Sequence, residues 1–172
     1  MNRKPGVGIV NYGIGNVASL RSSLMKIGYR PHMLEKPSDF ENAKVIIIPG
    51  VGAFPKAMKQ LERLGLDNAI LRAHDIGKRI VGICVGMQLL AEIGHELMPT
   101  KGLGLLRGKI LPHPDGLQVG WMSLKPQLGS DPSITGNKVY FNHSYYLENA
   151  NNSALYVCQS STIEHAALVR QD

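Results

Sequence analysis

Ile80-Val81-Gly82-Ile83-Cys84-Val85-Gly86-Met87 is the stretch on which the fold turns. A short apolar run leads straight into a cysteine that has one glycine two positions before it and another two positions after it. Small residues at those places permit the cramped strand-to-helix turn that exposes a nucleophile's side chain, with cysteine where serine more often stands. The stretch therefore reads as a buried strand, a nucleophile elbow at Cys84, and a helix running on through Met87, Leu90 and Ile93. Backbone N–H groups at Val85 and the positive end of that helix would favour the thiolate form of Cys84. A buried structural cysteine at a glycine-rich turn is the alternative reading of the same residues.

Toward the N-terminus the same alternation repeats. Val7 to Val10 is a short strand, and Val17 to Ile27 carries apolar residues at Val17, Leu20, Leu24 and Ile27, spaced as one face of a helix. Arg30 to Leu34 is extended. Val45-Ile46-Ile47-Ile48 is a continuous apolar run stopped by Pro49-Gly50, as expected of a strand buried on both faces of a parallel sheet. Ala53 to Leu64 and Leu66 to Gly77 read as helices parted near Gly65. Strand and helix alternating in this way predict an α/β doubly wound, mostly parallel sheet with flanking helices, whose site lies beyond the carboxyl ends of the strands. Asn16, Pro49 to Gly52 and Cys84 fall at such ends. After Gly94 the texture changes to short runs at Leu105 to Leu111, Lys138 to Tyr146, Ala154 to Gln159 and Ala166 to Arg170, which predict antiparallel or mixed strands.

The 172 residues suit one domain. Lys and Arg number 19 against 13 Asp and Glu, but the basic residues are scattered without an aromatic-spaced stripe, which argues against a nucleic-acid surface and leaves an anionic substrate or partner open. Cys84 and Cys158 lie far apart without metal-ligand spacing, so no disulfide framework and no metal site is expected, and a reducing, cytoplasmic setting fits. The N-terminus lacks the apolar stretch of a signal peptide, and no segment has the apolar length of a membrane span.

Pro49-Gly50-Val51-Gly52 would lie beside the Cys84 strand. Its glycines allow backbone N–H groups at Gly50, Val51 and Gly52 to turn, with the Val85 N–H, toward a tetrahedral oxyanion, worth about 3 kcal/mol per well-aimed donor. A plain strand-ending turn is the other reading. Gly13-Ile14-Gly15-Asn16-Val17-Ala18, with Glu35 beyond it, matches the dinucleotide fingerprint, but nothing later supplies a hydride-transfer site. Asn11, Tyr12 and Asn16 instead suggest a polar loop at the sheet edge that carries Cys84. His143, in Phe141-Asn142-His143-Ser144-Tyr145-Tyr146, sits in the densest polar-aromatic cluster and suits recognition. His165 could serve as a base, but reads first as a satisfied edge histidine, and His32, His74, His95 and His113 read as solvated or capping. Trp121, the single tryptophan, is a core or partner-packing residue.

Four ordered blocks, Asn11 to Asn16, Pro49 to Phe54, Gly82 to Leu90 and Asn142 to Tyr146, resemble the glutamine amidotransferase subunit of imidazole glycerol phosphate synthase, a class I amidotransferase. The resemblance runs in register from about Val7 to the end. It implies that Cys84 attacks the side-chain amide of L-glutamine to give a glutamyl thioester, with Gly50, Val51, Gly52 and Val85 at the oxyanion. Gln88, His143, Ser144 and Tyr145 would hold the substrate, and Asn11, Tyr12, Asn16 and Trp121 would face the partner. That partner is a (β/α)₈-barrel cyclase subunit, which uses the ammonia in histidine biosynthesis; no metal or organic cofactor is implied.

Two departures qualify it. The family continues into a Gln-Phe-His-Pro-Glu-Lys type segment with the triad His and Glu, whereas this sequence ends at Asp172, so severely reduced glutaminase activity is expected of the chain as written. Leu117-Gln118-Val119-Gly120-Trp121-Met122-Ser123 stands where the family commonly shows Pro-His-Met-Gly-Trp-Asn. This leaves open a paralogous subunit feeding another synthase, such as one amidating a nucleotide-linked sugar. A silent docking partner of the barrel, or a free-standing Cys hydrolase using His143 or His165, are the competing readings.

Overall fold

The computed structural model of the chain describes residues 5–134, 136–148 and 154–171. Its first half is the parallel sheet anticipated from the apolar runs. Strands β1 (Val7–Val10), β2 (His32–Leu34), β3 (Val45–Gly50) and β4 (Arg79–Cys84) stand in the order β2-β1-β3-β4, each neighbouring pair parallel. Burial then differs between strands. The central strands bury Ile9, Val10, Ile46 and Ile48 completely. β4 is an outer strand, and Val81 and Ile83 remain 42% exposed. Burial on both faces therefore holds for β3 and fails for β4, whose Val81 and Ile83 side chains line open cavities instead of packing against a covering layer.

Helices α1 (Val17–Lys26), α2 (Phe54–Arg63) and α3 (Leu66–Asp75) follow the expected alternation. Phe54, Ala57, Met58 and Leu61 of α2 and Leu66, Ala69, Ile70 and Ala73 of α3 recur three and four apart, so each helix lays one apolar face on the sheet. Gly65, at φ +66°, makes the left-handed turn between them. Asn16 caps α1 by accepting from the Ser19 N–H at 3.1 Å, yet α1 buries none of its residues, and Ile27 beyond its end is 62% exposed.

The chain departs from expectation just after the elbow. Helix α4 is a single turn, Val85–Gln88, and strand β5 (Ala91–Gly94) begins where the helix was to continue. Met87, Leu90 and Ile93 have helical spacing, but Leu89 and Ala91 are the residues that bury fully, and Ala91, Ile93 and Gly94 pair with a later strand. Tertiary pairing overrides local periodicity here.

Among the described residues the second half is mostly strand, with one 3-10 turn at Pro132–Ile134: β6 (Thr100–Lys101), β7 (Leu106–Pro112), β8 (Gln118–Ser123), β9 (Lys125–Pro126), β10 (Lys138–His143), β11 (Tyr145–Leu147), β12 (Ala154–Gln159) and β13 (Glu164–Val169). They form a mixed sheet β11-β7-β5-β6, an antiparallel pair β8-β10, and an antiparallel sheet β13-β12-β9. The run Lys138 to Tyr146, read as one strand, is two strands parted at Ser144 that join different sheets. Among the described residues no helix is long and apolar enough to cross a membrane.

Candidate active site

Cys84 ends β4 with φ +55° and ψ −121°, a conformation that side-chain-bearing residues rarely adopt and that costs on the order of 1–3 kcal/mol. The glycines around it are sterically required. A Cβ on Gly82 would stand 2.4 Å from the Met87 Cα, and one on Gly86 would stand 1.8 Å from the Ile48 carbonyl oxygen. Only glycine lets the elbow fold this tightly onto β3, and the outcome is a Cys84 thiol exposed at the strand's end. Cys158, by contrast, is fully buried, donates to the Ser123 carbonyl at 3.4 Å, and is pushed up to about 11 by burial.

Gly50 pairs directly with Cys84 across the parallel sheet, so Gly50, Val51 and Gly52 leave β3 beside the elbow, as the oxyanion reading requires. A Cβ on Gly50 would lie 2.7 Å from the Gly86 nitrogen and 2.9 Å from the Val85 Cβ. Gly52 turns the chain at φ +87°. Two adjoining cavities, of about 310 and 490 Å³, meet at Cys84. Val51, Gly52, Val85 and Glu96 line the larger on one side, and Asn142 to Tyr145 close it on the other.

The candidate recognition residues converge there. Gln88 is 6% exposed and its Nε2 donates to the Tyr145 carbonyl at 3.5 Å. His143 Nδ1 engages the same carbonyl at 2.8 Å. Ser144 lines the cavity and its carbonyl accepts from the His113 N–H at 2.8 Å. Glu96 carries no motif in the sequence and was missed. Its Oε2 accepts from the Phe54 N–H at 2.7 Å, which fixes a carboxylate at the cavity wall.

Behind His143 three imidazoles meet. His113 and His165 are 4% and 2% exposed, so neither is the solvated or edge histidine expected. The Asp115 N–H donates to His113 Nδ1 at 3.1 Å, which puts the His113 proton on Nε2, 3.4 Å from His165 Nδ1. The His165 proton is then on Nε2, which is buried without a partner, as is His143 Nε2. Burial, then the neighbouring His143 and His113, push His165 down to about 4, and burial likewise lowers His113. Buried this way, His165 is no candidate base for Cys84.

The residues assigned to a partner surface divide. Asn16 and Trp121 are exposed, Trp121 by 69%, with its ring edge-to-face on Tyr140 at 5.6 Å. Asn11 is half-buried and its Nδ2 donates to Glu35 Oε1 at 2.7 Å. Tyr12 is 1% exposed, so its side chain faces no partner; its hydroxyl donates to the Pro49 carbonyl at 2.8 Å. Gly15 has a matching explanation: a Cβ there would come within 3.3 Å of the Pro49 Cβ, so the glycine admits the close approach of β3. Among the described residues no group of three or more His, Cys, Asp or Glu is placed to hold a metal ion.

Residues 7–119 match the model of the CobB/CobQ-like glutamine amidotransferase domain. The imidazole glycerol phosphate synthase subunit HisH of Symbiobacterium thermophilum is 42% identical over 81% of this chain and 69% of its own length. That of Desulfitobacterium hafniense is 38% identical over 96% of this chain and 82% of its own. The chain belongs to this glutamine amidotransferase family. A solved glutamine amidotransferase superposes on the new amidotransferase with a TM-score of 0.70 at 14% identity, over 93% of this chain and 87% of that one. The structure of PurLQS from Thermotoga maritima gives 0.63 at 22% identity, over 97% and 77%. At such identities the likeness is one of fold, and it places the amidotransferase's parallel sheet and elbow in a known architecture.

Proposed function

We propose that the amidotransferase hydrolyses L-glutamine at Cys84 and passes the ammonia to a (β/α)₈-barrel cyclase subunit that makes imidazole glycerol phosphate in histidine biosynthesis. The observation that carries this reading is the Cys84 elbow in register with Gly50, at a cavity walled by Gln88, Glu96 and Ser144. The Cys84 sulfur attacks the amide carbon, and the carbonyl electron pair moves onto oxygen, where N–H groups of Val51 or Gly52 and of Val85 stabilise it. Collapse of that intermediate breaks the C–N bond, and ammonia leaves with a proton from a general acid. Water then hydrolyses the thioester to release glutamate.

The substrate's two ends call for different partners. Glu96, fixed by the Phe54 N–H, suits the α-ammonium, while Ser144 and Tyr145 suit the polar groups opposite. Among the described residues no imidazole is hydrogen-bonded to the Cys84 thiol. In the family the resemblance names, the base is a histidine backed by a glutamate, on a segment following the strand that β13 represents. The partner is read onto the exposed Trp121 and Tyr140 face, where two aromatic rings packed edge-to-face on each other stand 69% and 57% exposed.

Ammonia release from glutamine by the amidotransferase, alone and with the barrel subunit, tests the reading, with Cys84→Ser as the control. Glutamine-dependent ammonia that is lost in Cys84→Ser is the expected result. Undiminished release by Cys84→Ser would overturn it.

A further inference from the structure

The loop from Asn11 to Asn16 is held at both ends, by the Asn11 N–H on the Leu34 carbonyl at 2.9 Å and by the Asn16 cap on α1. Between those anchors it grips Pro49, the residue before the oxyanion glycines. The Tyr12 hydroxyl donates to the Pro49 carbonyl at 2.8 Å from one side, and Gly15 lies against the Pro49 ring from another. A Cβ built on Gly50 would meet the Tyr12 oxygen at 3.0 Å, beside Gly86 and Val85. The phenol is thus packed into the seam between the oxyanion strand and the elbow.

We propose that Tyr12 is a positioning residue for glutamine hydrolysis: by holding the Pro49 carbonyl it fixes the Pro49–Gly50 peptide plane, and with it the aim of the N–H donors that follow. The proposal rests on the assignment of Cys84 and Gly50 to Gly52 made above. Burial raises the pKa of the Tyr12 hydroxyl, and the nearby Cys84 charge raises it further, so the phenol remains a donor throughout the working pH range. Pro49 is itself buried, so its carbonyl depends on a protein donor, which the Tyr12 hydroxyl supplies. Losing a whole oxyanion donor costs about 100- to 1000-fold in rate, so loosening its aim is expected to cost about tenfold.

The test uses Tyr12→Phe, which keeps the ring and removes only the hydroxyl. A glutamine-analogue diazo-ketone labels the nucleophile by forming a carbon–sulfur bond at the diazo carbon, which takes up the thiol's proton as dinitrogen leaves. Its ketone oxygen occupies the oxyanion position. Iodoacetamide alkylates the same sulfur without recognition and reports only on its exposure. In Tyr12→Phe the maximal labelling rate should fall about tenfold, with the half-saturating concentration and the iodoacetamide rate within about twofold of the parent. Labelling of Tyr12→Phe at the parent's rate overturns the proposal. A parallel fall in both reagents does so too, since that marks a general structural role. A parent that iodoacetamide modifies and the diazo-ketone does not would instead remove the glutaminase reading itself, and the positioning role with it.

Discussion

Acid should loosen the amidotransferase through one histidine. His165 is buried, with Nδ1 accepting from His113 and its own Nε2 proton unpartnered. A second proton must go on Nδ1, where it would face the His113 N–H, donor against donor. Burial first, then the neighbouring His143 and His113, depress its pKa from 6.5 to about 4, while Asp115, facing the cluster through His113, pulls weakly the other way. The unfolded chain binds this proton more readily than the folded one, so stability rises with pH across that interval. The contribution is fully present above about pH 6.5 and is lost as pH falls to about 4, amounting to roughly 3 kcal/mol at most. Asp115, held down at about 2 by hydrogen bonds from Thr162 and Ser160, titrates below this window and does not blur it. Urea unfolding followed by far-ultraviolet circular dichroism should show the midpoint falling by about 1 M between pH 7.5 and 4.5, for a slope near 2 kcal/mol per molar. Trp121 fluorescence is a poor probe, since that ring is 69% exposed in the folded chain. His165→Phe should flatten more than half of the dependence, leaving a remainder from His113. A parent midpoint that holds steady over this range, or a His165→Phe protein that tracks the parent, would refute the reasoning.

Further outcomes follow from the site. Gly86→Ala must displace the Ile48 carbonyl, 1.8 Å from the new Cβ, and should cost at least about 3 kcal/mol in urea unfolding. Glu96→Gln keeps an acceptor for the Phe54 N–H but removes the charge, so the KM for glutamine should rise about tenfold or more with kcat little changed in steady-state assays. Trp121→Ala should change stability by under about 0.5 kcal/mol, yet weaken binding to the barrel subunit at least tenfold by calorimetry.

How much was legible in the sequence depended on whether a residue's task was local. The parallel sheet and the elbow could be read because β3 is a continuous apolar run and Gly82 is demanded by a turn within five residues of itself, whereas Gly86 is demanded by Ile48, a contact that only the folded sheet supplies. Val81 and Ile83 were read as buried because composition does not say which strand lacks a covering layer. The helix beyond Gln88 was drawn too long, since Met87, Leu90 and Ile93 satisfy a helical period that pairing with β7 overrules. Strand β8 passed unread because Gly120 interrupts it, and its partner β10 is fixed by pairs such as Trp121 with Tyr140. Tyr12, His113 and His165 look like surface residues by type; their burial comes from chain segments 37 to 52 positions away. Glu96 belongs to the cavity because the segment after β5 meets the first N–H of α2, a contact 42 positions apart.

The Tyr145 carbonyl takes hydrogen bonds from Gln88, on the elbow's helical turn, and from His143, on the antiparallel pair. The elbow's helical turn and the antiparallel pair, which share no sheet, are therefore tied through one acceptor beside the thiol. Such a tie transmits force: a change that rotates His143 must tug on Gln88, and the reverse. Substitutions at these two positions should then be non-additive, so that the double variant loses much less than the sum of the single ones, and the elbow and the antiparallel pair would move as linked bodies rather than as neighbours.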